Sequence, residues 1–203
     1  MTNVAPAAKT AAPPASQFPI PDPGPIGLAA FAATTLVLSF FNAGLFDAHY
    51  KAVVLPMAMI YGGAVQLIAG VLEMFRKNIF GAVAFLSYGA FWIAFHGVAT
   101  TKVDDAGLPA KYVALFLLAF TIFTICMTLI TFKTNVGLAT VFTLLSITFV
   151  LLTIGDFSGV AAIGHAGGYF GLATAIAAWY VCFAGIINAT WGRTVLPNKS
   201  LAG

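Results

Sequence analysis

Long stretches without a charged side chain constrain this sequence more than any other feature. Six of them occur along the chain, at residues 23–46, 52–72, 78–101, 112–132, 134–155 and 157–192. An α-helix needs about 20 apolar residues to cross a hydrocarbon core of about 30 Å. Every stretch reaches that length, so the sequence predicts six membrane-spanning helices.

The composition excludes a soluble protein. Charged residues make up 7% of the chain and hydrophobic residues 61%, whereas soluble domains are about a quarter charged. A membrane β-barrel would show short strands of alternating polarity instead of long uncharged runs. We therefore predict an all-α integral membrane protein whose outer surface faces the lipid bilayer.

The predicted transmembrane domain covers residues 22–192. Residues 1–21 are rich in Ala and Pro and are expected to form a disordered cytoplasmic tail, and residues 193–203 a cytoplasmic C-terminal tail. The glycine-rich stretch 156–168 has a weak helical signal, which leaves a helix, a re-entrant segment and an interfacial segment open. The six helices are expected at approximately 26–46, 52–73, 79–100, 112–132, 135–154 and 166–189.

The basic residues indicate the orientation, because Lys and Arg in short loops stay on the cytoplasmic side. With both termini in the cytoplasm, the basic residues on that side are Lys9, Arg76, Lys77, Lys133, Arg193 and Lys199. The outer side then has Lys51, Lys102 and Lys111. We predict a multi-pass protein of the plasma (inner) membrane with both termini cytoplasmic. The basic residues form no cluster, which argues against a nucleic-acid partner.

The sequence offers little for catalysis. It has no nucleophile and base at a suitable spacing and no glycine-rich phosphate loop. Cys126 and Cys182 fall inside predicted helices, where we expect them to pack as small apolar residues, and they lack the further ligands of a metal site. We predict neither an enzyme nor a cofactor. Glu73 is expected to pair with Arg76 and Lys77 at a helix end.

Several polar residues within the predicted spans are candidates for the lining of a path. Asn42 and Gln66 cannot easily satisfy their side chains on their own helix, so they should face the protein interior. Tyr61 and Ser87 are further candidates on the second and third helices.

Two glycine patterns indicate how the helices are arranged. The first, third and fifth helices begin alike around Gly27, Gly81 and Gly137, which are 54 and 56 residues apart, and this suggests three helical hairpins. The last helix has small residues four apart, a spacing that lets helices pack closely in lipid either within one chain or between subunits. These small residues are Gly167, Gly171 and Ala175.

Short motifs resemble those of a known transporter family. The opening segment resembles the signature Asn-Pro-Ala-Pro-Leu-Gly-Leu of the acetate uptake transporters, also called succinate-acetate permeases. In this chain the segment reads Asp22-Pro23-Gly24-Pro25-Ile26-Gly27-Leu28. Further similar motifs are Tyr61-Gly62-Gly63 with Gln66, Ser87-Tyr88-Gly89-Ala90-Phe91-Trp92 and Gly192-Arg193-Thr194-Val195-Leu196-Pro197.

The resemblance implies a homo-hexamer of six-helix protomers with cytoplasmic termini, in which each protomer encloses its own pore. It implies a narrow point formed by Phe31, Tyr88 and Leu145, and a cytoplasmic mouth formed by the segment 22–28. Asp22 stands where the family has Asn, so its charge would repel an anion there. His96 stands where we expect an apolar residue, and would influence the outer vestibule.

These observations together predict a channel-like path for acetate, and by extension succinate, with a hydrophobic constriction that small carboxylates cross by shedding water. Proton coupling stays open at this point. One alternative is a channel for ammonia or another small neutral solute. Another is a sensory membrane protein that binds a ligand without transporting it.

Overall fold

The computed structural model describes residues 20–103 and 106–201. Six helices in these ranges are long and apolar enough to cross a membrane, which confirms the predicted all-helical membrane architecture. Two short strands of two residues each lie between the third and fourth helices and pair in antiparallel fashion. They are β1 (Lys102–Val103) and β2 (Ala106–Gly107). The helices are α1 (Gly24–Asn42), α2 (Ala48–Phe75), α3 (Ile79–Thr100), α4 (Ala110–Thr131), α5 (Val136–Ser158) and α6 (Ala161–Trp191).

Several helix ends differ from the sequence-based expectation. Helix α1 stops at Asn42 instead of continuing to 46, because the chain turns at Gly44 with a φ of +71°. The stretch 156–168 is the end of α5, a turn and the start of α6. Gly159 takes the left-handed conformation that closes α5, and α6 begins at Ala161. A residue with a Cβ atom is strained in this conformation, whereas glycine is not.

The predicted N-terminal tail at 1–21 lies outside the described residues except for its last two positions. The predicted C-terminal tail is different, because residues 193–201 fold back onto the helices. Asn188 accepts hydrogen bonds from the backbone N–H groups of Val195 and Leu196. The hydroxyl of Tyr180 donates to the carbonyl of Pro197 over 2.7 Å. We call residues 193–201 the C-terminal segment.

Helix α2 is irregular along its length. It begins as a 3-10 helix (Ala48–Val53), continues as an α-helix (Val54–Met59), passes through a π-helical turn (Ile60–Val65) and ends as an α-helix (Gln66–Phe75). Such π-helical turns are frequent at functional sites. Here the turn ends directly before Gln66, whose side chain is 1% exposed.

Small residues of α6 let it pack tightly inside the chain. A Cβ added at Gly167 would meet Leu152 of α5, and one at Gly171 would meet Ser39 of α1. Ala175 is also buried, at 2% exposure. Of the two alternatives that the sequence left open, the structure assigns these small residues to packing within one chain.

Candidate functional site

Two cavities lie between the helices. The large cavity has a volume of about 330 Å³ and is lined mainly by residues near the start of the odd-numbered helices, together with residues of α2 and α6 and Asn198 near the C-terminus. The small cavity has a volume of about 110 Å³ and is lined mainly by residues further along the odd-numbered helices, together with Lys51 of α2 and two residues of α4. Because both follow α1, α3 and α5, they are consecutive spaces along the interior of the bundle.

Three side chains line both cavities, and they are the ones predicted to form the narrow point. Phe31, Tyr88 and Leu145 are the residues that the two linings have in common within the described part of the chain. They are 5%, 3% and 4% exposed, and the ring centroids of Phe31 and Tyr88 are 5.8 Å apart. The boundary between the cavities is therefore apolar and closely packed.

Tyr88 is held in place from two other helices. Its hydroxyl shares a 2.9 Å hydrogen bond with the Thr124 hydroxyl of α4. Its ring makes edge contacts with Phe123 of α4, at 5.6 Å between centroids, and with Phe142 of α5, at 5.9 Å. A buried tyrosine hydroxyl needs such a partner, so Thr124 fixes the direction in which the ring points.

The three boundary residues are equally spaced in the sequence, 57 positions from one to the next. The same spacing of 57 residues relates two further sets of three side chains that line the cavities. Three residues with this spacing line the large cavity, namely Leu28, Phe85 and Phe142. Three others line the small cavity, namely Thr35, Trp92 and Phe149. Each helical hairpin, about 57 residues long, thus contributes one side chain to each of these sets of three.

The 57-residue spacing also shows which residues are equivalent at the starts of α1 and α3. If Gly27 is aligned with Gly81, Phe31 lies about one turn away from the level of Tyr88. With the 57-residue spacing, the residue equivalent to Gly81 is Gly24. Counted from Gly24, Phe31 and Tyr88 lie at the same distance along their helices.

The odd-numbered helices all begin at the large cavity. Asp22 accepts a hydrogen bond from Gly24 N–H, Asn78 accepts one from Gly81 N–H, and Asn135 accepts one from Leu138 N–H. These six residues line that cavity. Helix N-termini have a partial positive charge and attract anions, so these three helix ends favour a negative solute, whereas Glu73, which also lines the large cavity, opposes one when it is ionised.

The charges near the predicted mouth pair differently from the sequence-based expectation. Arg76 contacts Asp22, with 2.8 Å between Nη1 and Oδ1. Glu73 instead accepts a hydrogen bond from the Asn78 side chain over 3.0 Å. The expectation that Asp22 would present a free negative charge is therefore wrong, because Arg76 compensates it, and Glu73 is not the partner of Arg76.

The segment 22–28 only partly lines the large cavity. Asp22, Gly24, Pro25 and Leu28 belong to its lining. The other three residues of the segment serve packing or face outward. Pro23 is buried at the start of α1, Ile26 is 45% exposed, and Gly27 packs against Phe85.

The predicted pore-lining residues divide into two groups. Gln66 lines the large cavity and Asn42 the small one, whereas Tyr61 and Ser87 are in neither lining. Ser87 directly precedes Tyr88, and successive helical residues point about 100° apart, so it faces away from the path. Tyr61 lies in the π-helical turn and is half-buried. His96 is half-buried and also lines neither cavity.

Three buried polar atoms near the path have no hydrogen-bond partner among the described residues. They are Thr35 Oγ1, Gln66 Oε1 and Trp92 Nε1. Thr35 and Trp92 line the small cavity and Gln66 the large one. Buried polar atoms normally find a partner, so these atoms are available to a solute or to water.

Sequence reasoning missed the charged residues of the path. Glu73 is 2% exposed and lines the large cavity, while Lys51 and Asp156 line the small cavity. Lys51 donates a 2.8 Å hydrogen bond to Asn42. The turn after α1 brings Lys51 back over the bundle, which a count of loop charges cannot reveal.

Comparison with known proteins finds a matching family model, related sequences and a related solved structure. Residues 4–202 match the model of the GPR1/FUN34/yaaH family. The succinate-acetate/proton symporter SatP of Escherichia coli is 38% identical over 180 residues, which cover 87% of this chain and 94% of that protein. The ammonia transport outward protein 2 of Saccharomyces cerevisiae is 38% identical over 85% of this chain, and the match spans 64% of the yeast protein. The solved structure of the bacterial acetate channel SatP superposes with a TM-score of 0.83, at 36% identity, over 88% of this chain and 98% of that one.

Proposed function

Because this chain belongs to the GPR1/FUN34/yaaH family, whose members are transporters and channels and not enzymes, we propose that it conducts acetate and related small carboxylates across the membrane. The solute would pass through the large and the small cavity in turn. The two cavities share the Phe31, Tyr88 and Leu145 side chains, and this is the observation on which the proposal rests.

The proposed constriction works by exclusion of water. Its three side chains offer a solute only apolar surface and the Tyr88 hydroxyl, which is engaged with Thr124. A hydrated ion meets a dewetting barrier at such a point. A small carboxylic acid that has shed its water can pass, with the unpartnered Gln66 and Thr35 atoms on either side as transient hydrogen-bonding groups.

The helix ends favour a carboxylate over a cation at the large cavity when Glu73, which also lines it, is protonated. The three helix N-termini there attract anions, and Arg76 compensates Asp22. Together they would concentrate acetate at the entrance to the constriction. An ammonium ion would gain nothing from these helix ends.

We propose that transport is electroneutral, with one proton per monocarboxylate. Moving an anion against an inside-negative potential costs about 2.3 kcal/mol per 100 mV, and a proton that travels with the solute removes this cost. Glu73 lines the large cavity and Asp156 the small one. A carboxylate on each side of the constriction gives the solute a group with which to exchange that proton.

The proposed topology has both termini in the cytoplasm of a plasma (inner) membrane protein, with the large cavity facing inward. The excess of basic residues at the starts of the odd-numbered helices supports this orientation. The proposed assembly is a homo-hexamer of protomers with separate paths. Native mass spectrometry of the detergent-solubilised protein would count the subunits.

The direct test compares two solutes in proteoliposomes that contain the full chain. Radiolabelled acetate should enter faster than radiolabelled methylammonium, and clamping the potential with valinomycin should leave acetate uptake unchanged. The second candidate, ammonia transport, is favoured by the 38% identity to the yeast ammonia transport protein and predicts the reverse order. Acetate binding without any flux would indicate a sensory protein.

A further inference from the structure

The small cavity has an unusual charge arrangement for an apolar space. Lys51 and Asp156 are the two charged residues of its lining within the described ranges. Most of the remaining lining is aromatic or aliphatic, including Phe91, Phe95 and Leu117. One cation and one anion therefore face a space that is otherwise mostly apolar.

The Lys51 ammonium has donors to spare. It donates one hydrogen bond, to Asn42 Oδ1, and an ammonium group has three N–H donors. The ion pair between Arg76 and Asp22 is the one found within 4.0 Å in the described part of the chain, so Asp156 does not touch Lys51. Two donors of Lys51 are thus open to a ligand in the cavity.

We propose that the small cavity is a binding site selective for monocarboxylates, in which Lys51 binds the carboxylate and Asp156 excludes dicarboxylates. This inference rests on the proposed transport function and specifies its substrate class. The volume of about 110 Å³ suffices for a short acid, since a single water requires about 10–15 Å³ on the same measure. The apolar end of the acid would lie against Phe91 and Phe95.

The selectivity follows from the charges. A monocarboxylate satisfies Lys51 and leaves only an apolar tail, which suits the aromatic wall. The second carboxylate of a dicarboxylate would have to face either Asp156, which repels it, or apolar surface, where an unpaired charge is costly. Asn42 positions Lys51 in this arrangement through the 2.8 Å hydrogen bond.

The test measures acetate uptake into proteoliposomes and its inhibition by succinate. Lys51→Met should raise the KM for acetate about tenfold, as expected for loss of a hydrogen bond from a charged group, whereas Lys51→Arg should stay near wild type. Asp156→Asn should lower the succinate concentration that half-inhibits acetate uptake about tenfold, relative to the KM for acetate. Lys102→Met, which removes an exposed lysine of β1, is the matched control and should change neither value.

The double variant Lys51→Met with Asp156→Asn separates this site from a simple counter-ion role. If Lys51 serves only to neutralise Asp156, the double variant regains the wild-type KM for acetate, and the inference is overturned. The inference predicts that its KM stays high. Unchanged KM and succinate inhibition in folded single variants would also overturn it, with the transport function intact. Absence of acetate flux in the wild type would instead refute the proposed function, and size-exclusion profiles identify variants that do not fold.

Discussion

Phe31 and Tyr88 meet with 5.8 Å between their ring centroids, at the boundary of two cavities, although they belong to different hairpins. Each is buried to at least nine-tenths. Phe31 and Tyr88 are 57 positions apart in the sequence, and Leu145 on α5 lies a further 57 positions along the chain and lines the same two cavities.

Removal of the Thr124 hydroxyl should weaken the support of Tyr88. Thr124→Val keeps the shape of the side chain but leaves the buried Tyr88 hydroxyl without its 2.9 Å partner. An unsatisfied buried group costs about 1–3 kcal/mol, so the melting temperature in detergent should fall and acetate flux should change. Thr140→Val is the control, because the exposed Thr140 hydroxyl bonds only a carbonyl of its own helix. Equal melting temperatures for the two variants would contradict the assigned role of Thr124.

The close packing of α6 against α1 predicts a strong effect of one methyl group. A Cβ added at Gly168 would collide with the backbone of Asn42 and Ala43, whereas one at Gly164 meets nothing within 4 Å. Gly168→Ala should therefore destabilise the protein by about 1–3 kcal/mol, and Gly164→Ala should not. Thermal unfolding of the two purified variants decides between close packing and a loose contact at this point.

The ion pair at the large cavity should control how acetate enters. Arg76→Gln leaves the Asp22 carboxylate uncompensated, so acetate uptake should fall severalfold at low salt, and less at high salt because the repulsion is then screened. Addition of Asp22→Asn should restore uptake. Lys77→Gln, which changes the neighbouring exposed residue, is the control. Uptake by Arg76→Gln that is independent of Asp22 would argue against an electrostatic effect.

The C-terminal segment should detach from α6 when the Asn188 side chain is removed. The Asn188 side chain binds the backbone of this segment at two adjacent residues. It accepts a hydrogen bond from Val195 N–H and donates one to the carbonyl of Leu196 over 2.8 Å. Asn188→Ala should increase the rate of trypsin cleavage after Lys199. Thr190→Ala, at an exposed position of the same helix, should leave the rate unchanged. Equal rates in both variants would mean that the segment is held by other contacts.

The six spans could be predicted because lipid demands long uncharged runs, and nothing in a soluble context imitates that pattern. The end of α1 could not, since Leu45 and Phe46 continue the apolar run past the turn at Gly44. The start of α6 was ambiguous because glycine has a low helix propensity. In the folded protein, close packing of glycines of α6 against neighbouring helices stabilises the helix. Contacts between distant residues were also out of reach, as with Lys51, whose place in the small cavity depends on how the 3-10 helix folds back.

Widening the boundary between the cavities tests the central claim most directly. Leu145→Ala and the lipid-facing control Leu129→Ala remove the same atoms, but Leu145 is 4% exposed and Leu129 is 68% exposed. Uptake of radiolabelled butyrate relative to acetate should rise about tenfold in Leu145→Ala, since a methylene group in an apolar site discriminates by about that factor or more, and should not change in Leu129→Ala. The same butyrate-to-acetate ratio in wild type and Leu145→Ala would contradict a solute path between Phe31, Tyr88 and Leu145.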